Sequence, residues 1–203
     1  MSEPAHPLTF FDDSEQTWPA QGHWTYEDYL RLPDDGRRYE VLRGVLYVSP
    51  SPKYDHQYAI SQLFRTLGQF VFDHELGIVL TAPFDVLMGE IATPVQPDLI
   101  FLRTGREPHA GDSNFQGAPD LVVEILSPSN RRYERKIKLN AYEDAGVEEY
   151  WLVDPMARTV VIYALGRNRR YAEYDRGGEE DMVRSRMLEG FSLRVVDLFP
   201  PLK

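Results

Sequence analysis

The stretch GAPDLVVEILSPSNRRYERKIKLNAYEDAGVEEYWLVDP, Gly117–Pro155, decides the fold. Its first apolar run, LVVEIL from Leu121, is short and hydrophobic at alternating and intervening positions alike, which suits a strand covered on both faces. Ser129 and Asn130 can cap a helix that runs to about Ala145, where Gly146 stops it. EYWLVD, from Glu149, is then a second buried strand. Working outward, RTVVIYAL pairs with it across a turn at Pro155 to Ala157. On the other side, IVLTAPFDVLM from Ile78 and VQPDLIFLR from Val95 read as further central strands. Before them, Ile60, Leu63, Phe64, Leu67 and Val71 recur at three and four along Asp55–Leu76, one face of a long helix with Gly77 in the capping place. RRYEVLRGVLYVSP reads as a hairpin turning at Arg43 and Gly44, and TYEDYLRLP as a short capped helix. The tail adds an edge strand and a short helix. This order predicts an α/β (α+β) chain: a central mixed β-sheet flanked by helices. Residues 1–24 are expected as a loosely ordered N-terminal segment and residues 25–203 as a single domain.

Composition narrows the chemistry. A chain of 203 residues without cysteine has neither thiol nucleophile nor thiolate metal cage. A net charge of −10 argues against a simple polycation that coats nucleic acid, so any phosphate binding is local or bridged by cations. No run approaches a membrane span, and the acidic, proline-containing start lacks a signal-peptide pattern; the expected location is cytoplasmic.

The informative residues are polar ones inside apolar strands. Glu124 sits in LVVEILS, where either face would bring its carboxylate to the core, and a buried carboxylate needs a partner. Asp98 opens the run DLIFL after Pro97. On neighbouring strands the two acids would repel, and a divalent cation between them resolves the repulsion. The alternative is that each acid pairs with an arginine or caps a turn, as Asp after proline commonly does. Asp120 also follows a proline but suits a position nearer the surface. Lys138 is the third member: Glu134, Lys138 and Tyr142 form a stripe beside the apolar positions Tyr133, Ile137, Ala141 and Ala145. Glu134 and Lys138 could be a plain surface ion pair; yet this helix follows the Glu124 strand and folds back on the sheet, so its inner flank can reach the carboxylates. Arg131, Arg132, Arg135 and Lys136 complete the densest basic run in the chain, a candidate nucleic-acid contact.

QPDLIF, GAPDLVVEILSPS, the spacing of Lys138 to Tyr142, and AGVEEYWLVDP together resemble the Uma family of putative restriction endonucleases, in the PD-(D/E)XK nuclease superfamily, over roughly residues 26–165. The resemblance implies a restriction-endonuclease-like fold. It also implies a metal-dependent DNA endonuclease in which Asp98 and Glu124 are the acids of the two half-motifs and Glu40, in RYEVLRG, completes the site. His56 matches a position where relatives often carry histidine, though a histidine at a helix start is more often a cap or packing residue. The superfamily's usual lysine, two residues after the second acid, is replaced here by Leu126, and the resemblance implies that Lys138 takes its role. On this reading Asp98, Glu124 and the Ile125 carbonyl hold Mg²⁺, with Mn²⁺ as substitute, and Lys138 orients the attacking water or stabilises the transition state. The competing reading is a catalytically inactive nuclease-fold module that binds nucleic acid or protein. A glycosidase fits poorly, because Tyr150, Trp151, Tyr163 and Tyr171 read as sheet packing. A homodimer joined through exposed strands near RTVVIYAL is a further expectation.

Overall fold

The computed structural model describes residues 17–49, 51–127 and 134–201, with the side chains of Glu134 and Arg135 outside the description. Six strands form the central sheet in the order β10-β9-β8-β7-β5-β3: β3 Gly77–Thr81, β5 Leu99–Arg103, β7 Leu121–Ile125, β8 Glu149–Asp154, β9 Thr159–Leu165 and β10 Tyr171–Gly177. Within this sheet only the β7–β8 pair runs parallel. A helix joins them, as a parallel pair requires. It consists of a π-helical turn over Glu134–Lys138 followed by α3, Leu139–Ala145, which Gly146 ends in the left-handed conformation at φ 89°.

One sheet face carries Leu99, Phe101, Leu121, Val123 and Ile125 and packs on α2, Tyr54–Asp73, through Ala59, Leu63, Leu67 and Val71. The other carries Ile100, Leu102, Val122 and Leu126 and packs on α3 through Ala141 and Tyr142. The same side receives the hairpin of β1 Arg38–Leu42 and β2 Val45–Ser49. Arg43 and Gly44 turn it, at φ 51° and 71°, and Gly44 is required there because a Cβ would lie 2.4 Å from the Gly22 carbonyl oxygen. Thr25 caps α1, Tyr26–Tyr29, in a reciprocal capping box with Asp28. Trp18 and Trp24 stack at 5.5 Å, and Trp24 is buried against the hairpin. No helix among the described residues is long and apolar enough to cross a membrane.

Several expectations change. The run IVLTAPFDVLM is not one strand: it leaves the sheet after Thr81 and re-forms as β4, Asp85–Leu87, parallel to β6, Asn114–Gln116. Pro83 has no N–H with which to continue the ladder. Gly77 does not cap α2, which ends at Asp73; it opens β3, where a Cβ would collide with the Leu102 carbonyl oxygen. Phe64, in the expected apolar face of α2, is exposed. β9 is hydrogen-bonded on both sides, so among the described strands the sheet edges are β3 and β10, and the exposed strand nearest RTVVIYAL is β10. The tail holds two more short strands than expected, β11 Met182–Arg184 and β12 Ser192–Arg194, before a 3₁₀ turn at Val195–Leu198. The start of the crossover helix at Ser129 and Asn130 lies outside the described residues.

Candidate active site

β5 and β7 are antiparallel, with Leu99 opposite Val123. One further step along that register sets Asp98 opposite Glu124. Residues directly opposite share a sheet face, and this face is the one covered by α3 and the β1–β2 hairpin. Alternation along β1 turns Arg38 and Glu40 to the same side. The π turn completes the arrangement. Such a turn holds one residue more than an α turn, so the apolar stripe expected on one flank does not persist: Ile137 is 37% exposed, whereas Lys138 is 2% exposed and Tyr142 is fully buried one turn on.

These elements bring Glu40, Asp98, Glu124, Lys138 and Tyr142 into one buried network, in which the three acids are each 1% exposed. Lys138 Nζ donates to Glu124 Oε1 at 2.8 Å and to Glu40 Oε1 at 3.0 Å. The Tyr142 hydroxyl donates to Glu124 Oε1 at 2.5 Å. Arg38 donates to Asp98 Oδ1 at 2.8 Å, and its second terminal nitrogen lies 3.8 Å from Glu40. His56 Nε2, from the first turn of α2, lies 3.2 Å from Asp98 Oδ2. Asp98 Oδ2 also accepts the Ile125 N–H at 2.8 Å, extending the β5–β7 ladder with a side chain. The expected role of Ile125 used its carbonyl; the contact made to Asp98 is through its amide nitrogen.

Among the described residues, three acids face two permanent cations, Arg38 and Lys138, in a largely buried region. Burial pushes the Glu124 carboxyl up to about 7; Lys138 opposes this, and the neighbouring Asp98 and Glu40 charges reinforce it. Burial also raises Asp98, but Arg38 and His56 outweigh it and hold that carboxyl well below its usual range. Tyr142 is raised well above the ordinary phenol value by burial and by the Glu124 and Glu40 charges, so it keeps its proton and serves as a donor. Among the described residues, Glu40 Oε2, Arg38 Nε with one terminal nitrogen, and His56 Nδ1 are buried without hydrogen-bond partners. A buried orphan of this kind costs about 1–3 kcal/mol.

The donor set fits a hard cation. Its oxygens are carboxylates, and Glu40 Oε2 is an unused acceptor among the described residues. Among the described residues no group of three or more Asp, Glu or His side chains is spaced to enclose a metal unaided. A cation at Asp98 and Glu124 would therefore complete its shell with water or phosphate oxygens, as Mg²⁺ habitually does.

Asp98, Arg38 and His56 also form part of the wall of an open cleft of about 720 Å³. The deeper Glu124, Glu40 and Lys138 lie behind them. Arg38 and Gln96 were not singled out from the sequence. Arg38 stands two residues before Glu40 on a strand, and that spacing alone places both on one face; Gln96 carries no such signal, and it enters through its backbone N–H, 2.9 Å from Glu40 Oε1. Asp120 departs from expectation. It is buried, held by Arg103 and by Arg106 at 2.6 Å, at the opposite end of β7. Tyr150 and Trp151 are fully buried, and Tyr150 packs in a ring cluster with Tyr142, Tyr163 and Tyr171. Arg131 and Arg132, and the side chain of Arg135, lie outside the described residues; Lys136 is exposed.

Residues 26–196 match the model of the Uma2 family, described as "Putative restriction endonuclease". Among solved structures, the chain is similar to a protein of Anabaena variabilis ATCC 29413 described as a putative nuclease belonging to DUF820. Identity is 22%, the TM-score 0.71, and the match covers 86% of this chain and 97% of that one. No curated protein sequence matches the chain.

Proposed function

The chain belongs to the Uma2 family, and on that premise we propose that it is a metal-dependent DNA endonuclease acting on phosphodiester bonds through Asp98, Glu124, Lys138 and Glu40. The observation that carries the reading is the convergence of three buried acids, Glu40, Asp98 and Glu124, on Arg38 and Lys138 beside a cleft, with Glu40 Oε2 accepting no hydrogen bond among the described residues. Asp98 and Glu124, with the Ile125 carbonyl, would hold Mg²⁺ or Mn²⁺, which when bound neutralises the phosphate and acidifies a water.

The chain's own groups do the rest. Lys138 Nζ bridges Glu124 and Glu40, and its positive charge can orient the attacking water or stabilise the charge that grows on the phosphate. Glu40 fixes the lysine, while Tyr142 fixes Glu124. Arg38 offers unpartnered N–H groups beside the cleft, suited to a non-bridging phosphate oxygen. The basic run of Arg131, Arg132, Arg135 and Lys136 follows β7 and is suited to the backbone of the same DNA.

One observation favours the second reading, a non-catalytic nuclease-fold module: both oxygens of Asp98 are already engaged, by Arg38, His56 and the Ile125 amide. Plasmid nicking separates the two. The endonuclease reading expects nicking that requires Mg²⁺ or Mn²⁺ and is lost in Asp98→Asn; equal nicking before and after that substitution, or no metal-dependent nicking by the folded protein, ends it.

A further inference from the structure

Beside the carboxylate network, the cleft holds a second polar cluster that the reaction does not use. Asp85 Oδ1 accepts the Gln96 side-chain amide at 2.8 Å and the Tyr29 hydroxyl at 3.1 Å. Burial and the Asp85 charge raise the Tyr29 phenol far above its usual value, which keeps it a donor. Both fixed bonds fall on one oxygen; Oδ2 has no bond to either. All three residues line the same cleft as Arg38, His56 and Asp98. Leu30, on the cleft wall, is 63% exposed, an apolar surface left open beside a polar anchor. A volume of about 720 Å³ is in the range of small-molecule sites.

We propose that this cleft receives one unpaired nucleotide of the substrate, with its phosphate toward Arg38 and its base edge on Asp85, and that Asp85 selects guanine. The proposal rests on the nuclease reading and names its specificity residue. A carboxylate oxygen only accepts. Guanine presents two adjacent donors, N1–H and N2–H₂, on its Watson–Crick edge. Thymine presents one donor between two carbonyl oxygens that the carboxylate repels. Adenine and cytosine, each with an amino group beside a ring acceptor, fall between. Reading that edge requires the nucleotide to be out of its pair, so the preferred substrate has a single-stranded or extruded residue at the site. Gln96 ties the base site to the reaction site, since its side chain binds Asp85 while its backbone N–H binds Glu40.

The test is binding in EDTA, which does not depend on hydrolysis. dGMP, dAMP, dCMP, dTMP and deoxyinosine monophosphate are titrated into the full chain and into Asp85→Asn by NMR. The expected order places dGMP about tenfold tighter than dTMP, with deoxyinosine monophosphate, which lacks the N2 amine, several-fold weaker than dGMP. Asp85→Asn keeps an oxygen for Tyr29 and Gln96 but turns the other group into a donor; it should erase the preference for dGMP over dTMP. Equal binding of all five nucleotides, no binding, or a preference unchanged in a folded Asp85→Asn protein overturns the proposal. If the variant fails to fold, the comparison of dGMP with deoxyinosine monophosphate on the unaltered chain decides alone. Metal-dependent nicking with no base preference would leave the nuclease reading standing and this one refuted.

Discussion

Buried carboxylates lie at both ends of β7 and its neighbours, and the two groups are satisfied in opposite ways. At the entrance, Asp120 accepts the Arg103 backbone N–H at 3.0 Å and two arginine side chains. Beside it, Glu149 at the start of β8 takes Trp151 Nε1 at 2.6 Å, the Ser185 hydroxyl at 2.7 Å and the N–H groups of Arg186 and Met187 at 2.8 and 3.0 Å. Every oxygen of both acids has a donor. At the exit, among the described residues, Glu40, Asp98 and Glu124 share Arg38 and Lys138, Glu40 keeps an unused oxygen, and Glu124 is pushed up to about 7 by burial. Closed accounts of hydrogen bonds hold a fold together, whereas an open one beside a cleft marks a place for a ligand.

The contrast breaks most readily at the level of rate. Asp98→Asn or Glu124→Gln should reduce Mg²⁺-dependent nicking by about 10³-fold, several kcal/mol of transition-state stabilisation. Asp120→Asn, on the same sheet, should leave nicking per folded molecule within about twofold. A comparable loss in Asp120→Asn would erase the distinction.

Stability should show the reverse pattern. Asp120→Ala strands the arginines and a backbone donor and should cost about 3 kcal/mol; in a thermal melt that lowers Tm by roughly 6–12 °C. A Tm within a degree of the parent would show that the entrance acids do not serve the fold.

Metal should stabilise one end only. Mg²⁺ or Mn²⁺ at a hundredfold excess over Kd should add about 2.7 kcal/mol to stability. Calorimetric melts should show that gain in Asp120→Asn and lose it in Asp98→Asn.

The smallest effect is that of pH. Glu124 has its pKa raised by folding from 4.5 to about 7, so between these values the native state keeps a proton that the unfolded chain releases. Its contribution is fully present below about pH 4.5 and is lost as pH rises through about 7. Without metal, the chain should therefore melt several degrees lower at pH 8 than at pH 5.5 relative to Glu124→Gln, which has no such proton. Parallel Tm profiles for the two would contradict the raised value.

Much of this arrangement was legible in the sequence because burial of strands is written in composition. LVVEIL and EYWLVD could only be interior, and a glutamate inside one of them demanded a partner. The long helix, the Arg43–Gly44 hairpin and the Gly146 stop followed from period and turn chemistry. What escaped depends on three-dimensional context. Lys138 could have paired with Glu134 on the surface; what turns it inward is the π turn, which heptad-like spacing does not announce. Asp120 looked peripheral because the arginines that bury it, Arg103 and Arg106, come from an earlier strand end and loop. Glu149 drew no notice, since its donors are a hydroxyl, an indole and backbone amides from a distant segment. β4 separated from β3 because Pro83 broke a run whose hydropathy alone looked continuous.

We propose that the carboxylates at the exit of β7 seat a hard cation. Anomalous diffraction from a Mn²⁺-soaked crystal tests it most directly. One strong peak is expected in contact with the Asp98 and Glu124 carboxylates. Diffraction that leaves Glu124 bound to Lys138 and Asp98 to Arg38, with no peak between the two acids, would contradict it.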